Sequence, residues 1–278
     1  MAGGRQVIGS LFSGIGALDL GLERAGLGDV AWQAEVDPYC RDVLARHWPS
    51  AKRFSDVREV TRESAARVRV LCGGFPCQPA SVAGRRRGQS DERWLWPEYA
   101  RIIAELEPAI VVAENVPGLR TMGLRDVLGD LAALGFDAEW ATASAFDFGA
   151  PHLRRRIYIV ATHPGRVVVR DEPGWLSRAL ERQAAPIPRD FAPAREPADS
   201  DSARRLESAR RLAGQRGWSE HVGWDIGPLA RVDDGLARGV VGKRRKALGN
   251  AVVVQHAQAV GVAVREAIDG AQAEGRCA

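Results

Sequence analysis

The stretch VLCGGFPCQPAS, residues 70–81, decides how this chain is to be read. Three apolar residues, Val70, Leu71 and Cys72, run into two glycines, and Pro76 and Pro79 then bracket Cys77. Proline lacks a backbone donor and fixes φ, so prolines at this spacing exclude a helix interior and a central strand. What remains is a strand ending in a stiff loop that displays one thiol. A thiolate is a strong nucleophile near neutral pH, and loops on rigid scaffolds are where such groups are presented. A buried cysteine beside a proline turn is the plain alternative, and the stretch alone does not separate the two.

Upstream, VIGSLF (7–12) reads as a buried strand, followed by SGIG and a helix marked by Leu18, Leu22 and Ala25 that ends at Gly26. Strand, glycine turn and helix N-terminus make a cradle for a nucleotide-type ligand. Asp19 stands where a dinucleotide fingerprint has its third glycine, which argues against a pyrophosphate. The next strand, around 30–36, ends at Glu35, about twenty residues beyond the glycines, the spacing at which an acid reaches ribose hydroxyls. A helix over 38–47 leads to a third acidic strand end at Asp56-Val57. A ligand with ribose and adenine but no pyrophosphate fits this pattern, and S-adenosylmethionine is such a ligand. Its carboxylate would find the helix N-terminus.

Downstream, residues 81–94 are polar, glycine-punctuated and carry Arg85, Arg86, Arg87 and Arg93, a basic loop suited to a phosphate backbone. A helix over 97–106 leads into the strand 109–115, whose end brings Glu114-Asn115 to the same sheet edge as the cysteine loop. A helix over 124–134 closes at Gly135, an edge segment covers 137–146, and FGAPHLRRRIYIVAT (148–162) places Arg154 and Arg156 on one face of a strand, with Arg155 on the other. Two such arginines entering a buried strand need a carboxylate or a nucleic acid as partner. Residues 164–237 turn rich in Pro, Arg, Ala and Asp with little periodicity beyond a helix-like piece near 202–213, the mark of a small loop-rich second unit. Residues 246–268 read as a turn and an apolar helix that returns to dock on the first domain.

Composition narrows the field. At 278 residues the chain can bury a large core, and no run of eighteen apolar residues offers a membrane span. The N-terminus lacks a secretory apolar core, so a cytoplasmic protein is expected. Cys40, Cys72, Cys77 and Cys277 form no CxxC pair, and the five histidines are scattered, so neither a disulfide framework nor a metal is expected. Net charge is +4, and nearly all the basic residues are arginine, whose fork suits phosphates and guanine edges.

Taken in order, LFSGIGALDLGLERAG, GGFPCQPAS, ENVPGL, FGAPHLRRRIYIVA and LGNAVVV resemble the motifs of the cytosine carbon-5 DNA methyltransferase family. That resemblance implies a class I (Rossmann-like) α/β methyltransferase with a mainly parallel seven-stranded sheet. It divides the chain into a catalytic domain (1–163 and 238–278) and a small irregular target-recognition domain (164–237). It implies a cofactor pocket shaped by Phe12, Ser13, Gly14 and Gly16, with Glu35 on the ribose, Asp56 at the adenine and Val36, Val57, Pro76 and Leu95 along the walls. Asn250 and Ala251 would lie near the cofactor. Cys77 would be the nucleophile, Glu114 would hold the cytosine edge, and Arg154 and Arg156 would steady the base and its loop.

The partners so implied are double-stranded DNA, with the target cytosine flipped out, and a cognate restriction endonuclease where one accompanies the enzyme; a monomer is expected. An RNA cytosine methyltransferase and a non-catalytic, cofactor-sensing DNA-binding relative stay open as alternatives. The chain departs from the family at Ser10 and Arg69, where an acid is usual, at Val36, where an aromatic often covers the adenine, and at His152 and Val254. The arginine-bearing motif that usually precedes the final helix has no clear counterpart.

Overall fold

The chain was described from a computed structural model covering residues 6–76, 94–149, 154–169, 172–184, 243, 247–248 and 251–275. Short apolar runs give the strands. β1 (Val7–Leu11), β2 (Asp29–Ala34), β3 (Lys52–Phe54), β4 (Val70–Gly73), β5 (Ile110–Asn115), β6 (Asp137–Ser144) and β7 (Arg155–Thr162) form one sheet in the order β3-β2-β1-β4-β5-β7-β6. The four pairings from β3 to β5 are parallel, and β7 runs antiparallel to both β5 and β6. Every residue of β4 and β5 is buried, as expected of central strands covered on both faces. The expected mainly parallel seven-stranded sheet is therefore present.

Helices close both faces. α1 (Ala17–Arg24) follows β1, α2 (Pro38–His47) follows β2, and α3 (Trp96–Leu106) precedes β5. α4 (Leu119–Met122) and α5 (Leu124–Ala133) connect β5 to β6. α6 (Trp175–Gln183) and α7 (Val254–Gly275) follow β7. Leu18 and Leu22 of α1, Leu176 and Leu180 of α6 and Val260 and Val264 of α7 share one core with the side chains of Cys72, Val112 and Tyr158. On the opposite face Tyr99, Ile102 and Ile103 of α3 and Val127 and Leu131 of α5 pack against Leu71, Val111 and Ile159.

α7 crosses α1 closely enough that a Cβ on Gly21 would meet the Ala257 Cβ at 2.4 Å, and one on Gly261 the Ala25 Cβ at 2.5 Å. Arg265 then donates to the Ala25 carbonyl at the end of α1. The sequence reading assigned no helix to 175–183, which lies in the stretch read as loop-rich. The helix is there, capped at its start by Glu139 of β6, whose carboxylate accepts from Gly174 N and Leu176 N. β7 opens at Arg155, one residue after Arg154, and both Arg154 and Arg156 act on the charge of Glu114.

Candidate active site

The strand order reverses between β1 and β4, and in open α/β sheets the crevice at such a switch point receives the ligand. A cleft of about 720 Å³ opens there. The β1 loop forms one wall. Phe12, Gly14 and Gly16 all have positive φ (52°, 55° and 81°), which turns the backbone sharply into α1. Phe12, Ser13 and Gly14 line the cleft. Gly16 does not; a Cβ there would strike the Trp48 ring at 2.3 Å, so this glycine serves the packing beneath the loop.

Glu35 follows β2 and faces the loop. Its Oε2 accepts from Gly14 N at 2.7 Å and its Oε1 from Asp37 N at 2.8 Å, which fixes the carboxylate while leaving each oxygen a second acceptor site. Asp37 itself caps α2 through Tyr39 N. Val36, beside them, is 72% exposed. Asp56 and Val57 also line the cleft, but the Asp56 carboxylate is engaged by Arg58, through the backbone N–H at 2.9 Å and the guanidinium at 3.1 Å. Arg58, Cys40 and Val252 line the cleft and were not anticipated. Arg58 had a legible signal in its place two residues after Asp56, whereas Cys40 looked like any buried helix residue.

The far wall comes from β4, β5 and β7. Phe75 sits among Trp94, Trp96 and Tyr99, with ring centroids 5.2–6.2 Å away, and its carbonyl accepts from Asn115 Nδ2 at 2.9 Å. The segment leading to Cys77 is thus anchored on both sides, and Pro76 lines the cleft. Cys77 lies outside the described residues, as do the arginines of 85–93 and Asn250. Leu95 and Ala251 line the cleft.

Glu114 and Arg156 meet in the same cleft. Arg156 Nε lies 2.9 Å from Glu114 Oε1, and both side chains are largely buried. Burial pushes the Glu114 carboxyl up to about 7, against the pull of the Arg156 and Arg154 charges, so near neutrality it holds a proton about half the time. Gly74 presses on it, since a Cβ there would lie 2.6 Å from Glu114 Oε2. By contrast the Cys72 thiol, in the sheet, is driven well above the ordinary range by burial and is held inert. Among the described residues no group of three or more His, Cys, Asp or Glu would hold a metal, and no helix is long and apolar enough to cross a membrane.

Known proteins share this architecture. The Dnmt2 methyltransferase of S. pombe superposes with a TM-score of 0.64 at 14% identity, covering 94% of this chain and 99% of that one. The Entamoeba histolytica methyltransferase EhMeth gives 0.56 at 14% identity, covering 96% and 99%. At these identities the likeness is one of fold. In sequence, the Type II methyltransferase M.FnuDI of Fusobacterium nucleatum is 34% identical over 156 residues, 54% of this chain and 45% of that protein. M.NgoMIV of Neisseria gonorrhoeae is 36% identical over 154 residues, 54% and 49%. The chain spans about half the length of the curated relatives it matches. The sequence pattern of the C-5 cytosine-specific DNA methylases matches residues 7–211, most of the chain, and the chain belongs to that family.

Proposed function

We propose that this protein transfers a methyl group from S-adenosylmethionine to carbon 5 of a cytosine flipped out of double-stranded DNA, through a covalent bond to Cys77. The observation that carries the reading is the Glu114–Arg156 pair: a buried carboxyl held near neutrality, in the cleft entered by the segment that leads to the cysteine.

The cleft suits the cofactor. Its volume lies in the range that encloses a nucleoside-sized ligand, Glu35 offers fixed acceptors for two ribose hydroxyls, and the start of α1 is placed to receive a carboxylate. When bound, S-adenosylmethionine supplies an electrophilic methyl group on a sulfonium.

The chain does the rest. Carbon 5 of cytosine is too weak a nucleophile unaided, so the Cys77 thiolate adds to carbon 6 and leaves carbon 5 enamine-like. Protonated Glu114 donates to ring nitrogen 3, where charge collects, and its second oxygen accepts from the exocyclic amine. Arg156 fixes the rotamer of that carboxyl. After methylation the carbon-5 proton leaves to water, the carbon–sulfur bond breaks and the thiolate is regenerated. Flipping the base costs about a few kcal/mol, offset by phosphate contacts from the arginines of 85–93. Residues beyond α6 in the 164–237 stretch form the target-recognition region.

Purified protein, S-adenosylmethionine and duplex oligonucleotides bearing 5-fluorocytosine test the reading, because fluorine at carbon 5 blocks the last elimination. A protein–DNA conjugate that survives denaturing electrophoresis is expected, and none with Cys77→Ser. Cofactor binding without any conjugate on duplex DNA, or a conjugate on RNA alone, overturns it.

A further inference from the structure

One buried carboxylate beneath the cleft has no part in the chemistry above. Asp19, in the first turn of α1, is fully buried. Ser10 Oγ of β1 donates to its Oδ1 at 2.7 Å, and Gln33 Nε2 of β2 donates to its Oδ2 at 2.8 Å. The Cys72 thiol of β4 approaches Oδ1 at 4.0 Å. A single side chain thereby ties one helix to three adjacent strands. Each tie sits next to the cleft: Ser10 is two residues from Phe12, Gln33 is two from Glu35, and Asp19 adjoins Leu18.

The loop so enclosed has positive φ at three positions, a shape that its local preferences do not hold unaided. An apolar side chain at position 19 would join the surrounding core of Ile8, Leu22 and Val70, but it would leave the buried Ser10 hydroxyl and Gln33 amide without their acceptor, which costs stability. The acid therefore fastens α1 to β1 and β2, and the loop that these elements enclose takes its shape from that fastening. Position 10 is the strand side of the same contact: the Ser10 hydroxyl, fully buried on β1, reaches the acid presented by the helix.

We propose that Asp19 is a positioning residue for the cofactor: it sets the first turn of α1 against β1 and β2 and so holds the 12–16 loop in its binding shape. This rests on the cofactor reading of the cleft. The ionised carboxylate accepts both hydrogen bonds. Burial lifts the carboxyl to about 6, against the pull of the Gln33 and Ser10 hydrogen bonds and with a small push from Glu23, one turn on along α1; the Cys72 thiol that faces it from β4 is neutral, so the carboxyl stays mostly ionised at neutral pH.

Three variants test the inference, each read for S-adenosylmethionine affinity by calorimetry and, separately, for urea stability without cofactor. Asp19→Leu is expected to be less stable than wild type, because two buried donors lose their acceptor, and, where folded, to bind at least tenfold more weakly. Asp19→Asn, which keeps the shape but loses one acceptor, should fall between. The exchange Ser10→Asp with Asp19→Ser returns an acid to the same contact from the strand side and should bind within threefold of wild type. Folded Asp19→Leu and Asp19→Asn that bind within twofold of wild type overturn the proposal, as does affinity lost only in step with the unfolded fraction. Should Asp19→Leu not fold, the exchange pair decides: tenfold weaker binding by a folded pair is equally fatal. Wild-type protein that binds no S-adenosylmethionine removes the cofactor reading and this inference with it, whereas wild-type binding with indifferent variants removes this inference alone.

Discussion

At the residue scale, the behaviour of Glu114 is set by two opposed effects. Burial raises its carboxyl and the Arg156 charge lowers it, leaving it at about 7. If the protonated acid is the working form, Glu114 gives turnover an alkaline limb that falls above about pH 7. Removing the cation relieves the downward pull, so Arg156→Met should move that alkaline limb to higher pH while lowering the plateau about 10–100-fold through lost orientation. The pH profile of single-turnover methylation checks the direction; an unmoved or acid-shifted limb would mean that Arg156 does not govern this proton. Gly74→Ala should also lower the plateau, since its Cβ would lie 2.6 Å from Glu114 Oε2 and would push that carboxyl out of its present position. Val36 offers a gain instead. It is 72% exposed at the cleft, and Val36→Phe would put an aromatic face on the adenine, worth about 0.5–1.5 kcal/mol, so a roughly threefold to tenfold lower Kd for S-adenosylmethionine is expected from titration calorimetry.

Elements were legible in the sequence where one physical signal dominated. VIGSL and IVVAEN are apolar runs followed by turn residues, and the sheet buries both faces of β5 and nearly all of β1. The acids at strand ends were legible for the same reason, and the demand of Arg156 for a partner is met by Glu114. α6 was missed although Trp175, Leu176, Ala179 and Leu180 stand at helical spacing, because the Pro- and Arg-rich composition around it masked a nine-residue pattern. Its N-terminal cap comes from Glu139, 35 residues away on β6, and no local reading finds that. The close crossing of α1 and α7 was equally hidden, since a glycine in a helix reads only as a weak helix former. It has a measurable consequence. Gly21→Ala would gain about 0.5–1 kcal/mol in helix propensity, but its Cβ would meet Ala257 at 2.4 Å and the Gln258 backbone at 2.7 Å. Overpacking of that kind costs about 1–3 kcal/mol, so net destabilisation is expected. Gly129→Ala, in α5 with nothing within 4 Å, should show the propensity gain alone. Urea midpoints that move the same way for both variants would show that the crossing does not depend on Gly21.

At the scale of the whole molecule, three buried titrating groups pull the pH dependence of stability in opposite directions. Glu114 and Asp19 are raised, to about 7 and about 6, so each binds protons in the folded state that the unfolded chain releases. Their contribution is full in acid and fades as pH rises through those values. His256 does the reverse. It lies on α7, 1% exposed, with its ring stacked 5.0 Å from Phe148 and edge-on to Tyr158 at 4.7 Å, and neither its Nε2 nor the Tyr158 hydroxyl has a partner among the described residues. Burial, with the Arg156 charge, lowers it from 6.5 to about 3, so folding keeps the imidazole neutral. Below pH 6.5 the unfolded chain takes up a proton that the folded one refuses, and stability drains away until about pH 3, by about 2 kcal/mol at pH 5. Between pH 7 and 5 the two carboxyls more than offset that loss, so these three groups together should leave the wild-type protein somewhat more stable at pH 5 than at pH 7. His256→Phe keeps an aromatic ring against Phe148 and removes only the opposing member. Relative to wild type it should be nearly neutral at pH 8 and more stable by about 2 kcal/mol at pH 5. Urea denaturation at the two pH values measures the difference, in which every other titrating group cancels. An equal effect of the substitution at both would mean that the imidazole takes up its proton without leaving the fold.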